Sequence, residues 1–139
     1  MVSSVDSARI CALVVGINAY EELTRLQNGV GDAQAVGDDL RNVGVTRITS
    51  AMDCTYEQLI NKTNQYLSKL RKGDVALVYL AAHAAMFQNQ HVFLTTTSND
   101  TNIAHTSLRE QYLIARLLTC HVVCTRVVCL QYPSAFTCI

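Results

Sequence analysis

Proline is nearly missing from this chain: one residue, Pro133, in 139. Tryptophan is absent, and glycine occurs six times. No low-complexity linker divides the chain and no segment repeats, so one domain is expected over residues 1–139. Lysine and arginine total 11, and aspartate and glutamate total 11, so the formal net charge is zero. That balance offers no electrostatic footprint for nucleic acid or an anionic membrane, and neither is expected as a partner. No apolar run reaches the length of a transmembrane span. Met1 to Arg9 carries Asp6 and no long apolar region, so it does not read as a secretory signal. The expected location is intracellular, in the cytoplasm, with the six cysteines as reduced thiols. No loop after a strand carries a Gly-rich phosphate fingerprint, which disfavours a flavodoxin-like binder of small ligands.

What is present is apolar. Half the residues are hydrophobic and 16% are charged, which favours a buried, sheet-rich interior. Ile10 to Ile17 and Val75 to Leu80 are continuous apolar runs, the mark of strands buried on both faces. Between them the pattern turns helical. Ala33, Val36, Leu40 and Val43 fall at helical spacing, with Asp32 expected as the N-cap and Gly44 at the C-terminus. Val45 to Ala51 reads as a short strand. Thr55 and Gln58 have capping-box spacing ahead of a helix carrying Leu59, Ile60, Thr63, Leu67 and Leu70 on one side. Val92 to Leu94 reads as a short strand, Thr95 to Thr106 as a polar loop, Leu108 to Leu118 as a helix and Val122 to Leu130 as a last strand. Strands alternating with helices imply right-handed crossovers and a mainly parallel sheet covered on both faces, an α/β fold.

In such sheets ligands sit beyond the carboxyl ends of the strands. His83 is expected just past one of those ends, in Ala81-Ala82-His83-Ala84, and the last long strand ends near Gln131. If those strands are neighbours, a thiol after Gln131 would face the imidazole as a Cys-His dyad. Cys120, His121 and Cys124 invite a zinc reading, but a strand-like run would turn Cys120 and His121 apart, so no metal is expected. His91, His105 and His121 read as surface or loop histidines.

Three stretches resemble one family. Ala12-Leu13-Val14-Val15-Gly16-Ile17-Asn18-Ala19-Tyr20 resembles the first strand of the caspase-like cysteine peptidases, especially the metacaspases and their bacterial relatives. Leu26 to Ala33 is similar to their Leu-x-Asn/Gly-x-Val-Asn-Asp-Ala segment, and Gly73 to Tyr79 to the approach to their catalytic histidine. The resemblance implies a three-layer caspase-hemoglobinase-like fold with no cofactor. It implies cysteine endopeptidase activity on peptides or proteins, with histidine and cysteine at the ends of adjacent strands. It assigns the catalytic position to His83. It also implies a small-subunit region beyond the large-subunit part, and the expectation is that this chain lacks it.

The residues depart from that pattern in two places. Alanines flank His83 where the family carries glycines, which puts the backbone oxyanion donor in doubt. The nucleophile position falls on Tyr132 or Pro133, depending on register, and neither is a thiol. Cys129 is the remaining thiol candidate, although it lies inside the strand in both registers. Gln131 takes the substrate-binding position where the family keeps an acidic residue; the arginine position of animal caspases falls on Leu26, beside Arg25. The expectation is therefore a pseudo-peptidase or regulatory homologue. The alternatives are an active endopeptidase using a non-standard thiol such as Cys129, or a non-enzymatic interaction module. A related caspase-like chain is a possible partner, and an open edge on the last strand suits an edge-strand dimer.

Overall fold

The computed structural model describes residues 6–120 and, as backbone, 124–132. Strand β1 (Ile10–Gly16) is buried along almost its whole length. It pairs in parallel with β2 (Arg47–Met52) on one edge and with the first half of β3 (Val75–Phe87) on the other. The opposite edge of that half of β3 pairs in parallel with β6 (Cys124–Tyr132). The second half of β3 forms an antiparallel hairpin with β4 (Gln90–Leu94), which pairs in turn with the short β5 (Ser107–Arg109). Gln88 and Asn89, both at positive φ, make the hairpin turn. The sheet is thus mixed and parallel at its centre, and β3 is its spine.

Strand alternation sorts the layers. Cys11, Leu13 and Val15 of β1, with Ala76, Val78, Leu80 and Ala82 of β3, face one core. Onto it pack Leu59, Tyr66 and Leu67 of α2 (Tyr56–Lys69) and Leu113 and Leu117 of α4 (Glu110–Leu118). Burying each such large side chain is worth about 1.5–3 kcal/mol. The Tyr66 hydroxyl donates to the Cys11 carbonyl at 2.9 Å, so its polar tip is satisfied in that core. Val14, Tyr79 and Ala81 face the other way, against Ala33, Val36 and Leu40 of α1 (Gly29–Asn42). Helices therefore cover both faces of the sheet, the expected α/β layering.

Local signals explain most element bounds. The Thr55–Gln58 capping box at the start of α2 is fully formed, and Gly44 takes the positive φ that ends α1. The helix α1 starts earlier than expected. Its N-cap is Asn28, and Asp32 lies in the first turn. The cause is a close approach of backbones: a Cβ on Gly29 would stand 2.8 Å from the Ile17 carbonyl oxygen, and one on Gly16 would stand 2.6 Å from that of Gly29. The Thr95–Thr106 segment contains one helical turn, α3 (Ile103–Thr106). The strand at Val75 does not end before His83. The apolar run continues to Phe87, because the hairpin gives its far half a new partner.

At the end of the sheet where the strands start, Arg47 and Asp74 form a largely buried pair. The guanidinium nitrogens lie 2.7 and 2.9 Å from the two carboxylate oxygens. Arg47 also donates to the carbonyls of Lys69 and Ala8, and Asp74 accepts the Arg71 N–H. The hydrogen bonds from Arg47 hold the Asp74 carboxyl below its ordinary range.

Candidate active site

His83 sits where β3 changes partners. Parallel pairing with β1 ends at Ala81, and antiparallel pairing with β4 begins at Ala84. Between these points the His83 N–H has no strand to bond. It donates instead to the Tyr20 hydroxyl at 2.8 Å, and that hydroxyl donates to the Leu94 carbonyl at 3.1 Å. The phenol therefore closes the gap between two ladders with both its polar valences used. Tyr20 is 1% exposed, and burial pushes its hydroxyl well above the ordinary range, so it stays protonated.

The imidazole is held as firmly as its backbone. The Tyr20 ring lies 4.6 Å from it, centroid to centroid, tilted by 53°. Nε2 is 2.7 Å from the Thr24 carbonyl oxygen. A carbonyl can only accept, so Nε2 carries a hydrogen and donates it to Thr24. Nδ1 is buried and has no hydrogen-bond partner among the described residues; His83 as a whole is 1% exposed.

The segment that supplies Tyr20 and Thr24 is pinned from several sides. Asp53, at positive φ after β2, accepts the N–H groups of Asn18 and Ala19 at 2.7 and 2.9 Å. The Asn18 side chain accepts the Val30 N–H at the start of α1. Glu21 N–H donates to the Thr96 carbonyl, and Thr96 N–H to that of Cys54. Two glycines, an aspartate and an asparagine thus bring three loops together over the strand ends. Arg25 is exposed, and Leu26 is partly buried with its N–H on the Asn18 carbonyl.

The β3–β6 register locates the other expected site residues by backbone. His83 pairs with Tyr132, Ala82 with Gln131 and Leu80 with Cys129. At about 3.3 Å per residue, Cys129 lies roughly 10 Å down the strand from the level of His83. Pro133 and His121 lie outside the described residues. Ala84 lies in the antiparallel ladder opposite Phe93, so the strand runs on through the alanines that flank the histidine. The nearby Cys54 is buried, which pushes its thiol up to about 11, and burial raises Cys11 as well. Neither is a thiolate near neutral pH. His91 and His105 are exposed, and the described residues contain no group of three metal-ligating side chains.

Tyr20 and Thr24 are the functional neighbours that sequence reasoning did not assign. Thr24 acts through its main-chain oxygen, which leaves no side-chain signal. Tyr20 stood inside a quoted stretch, but its spacing from His83 shows only when the chain is folded.

Comparison with known proteins agrees with this architecture. Residues 9–120 match the caspase domain family. A crystal structure of a protein from Geobacter sulfurreducens superposes with a TM-score of 0.66 at 17% identity, over 87% of this chain and 48% of that one. That likeness is one of fold, and this chain spans about half of that protein's length. No curated protein matches the sequence.

Proposed function

The chain belongs to the caspase domain family, and from that premise we propose that it is a peptidase-like domain without catalytic power. His83 keeps the setting of a general base: one nitrogen is fixed on a carbonyl, and the other has no hydrogen-bond partner among the described residues. A bare Nδ1 is what would take a proton from a thiol and later return it to a leaving amine. The observation that carries the reading is the register, in which the position beside His83 is Tyr132. A phenol there is no substitute for a thiolate. An ordinary phenol, with a pKa near 10, is protonated at neutral pH. Such a domain would act on related peptidases or peptides by binding them.

Labelling with a peptide that carries a thiol-reactive trap tests the reading. The expected outcome is no covalent adduct. An adduct that disappears in Cys129→Ala would overturn it in favour of an active endopeptidase with a non-standard nucleophile. A gain-of-function arm sharpens the test. Tyr132→Cys is expected to introduce a cysteine whose alkylation, followed against pH, depends on His83 and loses that dependence in the His83→Ala background.

A further inference from the structure

The two ends of the sheet carry opposite charge. Because β1, β2 and the first half of β3 run parallel, one end collects their starts and the other their finishes. Exposed around the starts are Arg9, Lys69, Arg71 and Lys72. The buried Asp74 among them is taken by Arg47, so that pair adds no net charge. Arg9 donates to the Gly73 carbonyl and Lys69 to the Thr49 hydroxyl, which fixes two of the four cations in place. Even with Asp6, Asp38 and Asp39 counted, cations outnumber carboxylates at this end.

Around the finishes the sign reverses. Among the described residues, Glu21, Glu22, Asp53, Glu57 and Asp100 are exposed there, against the arginines Arg25 and Arg109. Bonds hold this rim together: the Glu22 carboxylate accepts from the Asn99 side chain, and Asp53 accepts two N–H groups from the loop after β1. Seven residues of β1 at about 3.3 Å each separate the ends by roughly 23 Å. The Debye length at physiological salt is about 8 Å. Within one molecule neither end screens the other. Between two molecules the ends can touch.

We propose that the basic end of one copy docks on the acidic end of a second copy, head to tail. The patches differ and lie at opposite poles, so the contact is heterologous and propagates instead of closing as a two-fold dimer. It covers the end of the sheet at which His83 lies. The reading stands on charge placement and does not depend on whether the domain is active.

Sedimentation velocity of the full chain tests it. At about 10 mM ionic strength, where the Debye length reaches about 30 Å, the weight-average mass should rise with concentration; at about 1 M salt it should return to the monomer. Arg71→Glu with Lys72→Glu makes both ends acidic, and Glu21→Lys with Asp100→Lys favours positive charge at both. Each variant alone should stay monomeric at low salt, and an equal mixture should recover association. Circular dichroism confirms that each variant is folded, since all four residues are exposed. A monomer at every salt concentration would overturn the proposal. So would association that survives charge reversal, or a mixture that fails to recover it.

Discussion

The two ends of the sheet treat their buried polar groups differently. Where the strands start, Arg47 and Asp74 answer each other on both prongs, and the neighbouring carbonyls and the Arg71 N–H take further valences. Where the strands finish, His83 spends one ring nitrogen on Thr24 and leaves the other with no partner among the described residues. A buried polar group kept for stability is saturated, because an unmet one costs about 1–3 kcal/mol. A buried group left one bond short is where chemistry, or the remains of it, is to be sought. The contrast sets the Arg47–Asp74 clamp apart from the His83 site; Thr63 Oγ1, also buried without a partner among the described residues, lies within α2.

Breaking the clamp should have the largest effect. In Arg47→Met, Asp74 keeps its burial and loses both guanidinium bonds, so the denaturation midpoint should report a loss of about 3–5 kcal/mol. Replacing both partners by apolar residues should recover much of that. The pair also has a pH signature. Arg47 holds the Asp74 carboxyl below its ordinary value, which is about 3.9 in an unfolded chain. A depressed carboxyl contributes its stability in full above that ordinary value and loses it as the pH falls through the folded one. Thermal melts of the wild type should therefore weaken below about pH 4, and Asp74→Asn should flatten that part of the profile.

Tyr20 links the comparison to the site end. In Tyr20→Phe the ring stays against His83, but the His83 N–H and the Leu94 carbonyl both lose the hydroxyl between them. Two buried groups in a strand gap have little access to water. The expected cost is about 1–3 kcal/mol, read as a lower denaturation midpoint with an unchanged slope. A smaller cost would mean that β3 and β4 close the gap themselves.

Much of the scaffold was legible in the sequence, and the site was legible only in part. The runs at Ile10 and Val75, the helical faces and the capping box all carry local patterns with one physical cause each. The errors came where tertiary contact decided. Asp32 looked like an N-cap, but the helix begins at Gly29 because only glycine fits between the Ile17 and Ala81 carbonyls. His83 was expected past a strand end and lies inside β3, because the antiparallel hairpin extends a strand that parallel pairing would have ended. That His83 lies near the carboxyl ends of the parallel strands could be read from the residues around it. Its orientation could not, because it rests on a main-chain oxygen and on a tyrosine 63 residues away in sequence.

The smallest effect should come from the residue at the centre of the site. His83→Leu removes the imidazole together with its Nδ1, which has no partner among the described residues. It gives up one partly buried hydrogen bond, to the carbonyl of Thr24. A leucine of similar bulk can pack against Tyr20. The lost bond and the removed orphan act in opposite directions, so stability should change by no more than about 1 kcal/mol in either sense. That near-neutral result is expected of a side chain held in place for something other than folding. A loss as large as that of Tyr20→Phe would show the reverse: that Nδ1 has a partner in the folded protein, and that His83 belongs with the clamp at the other end of the sheet.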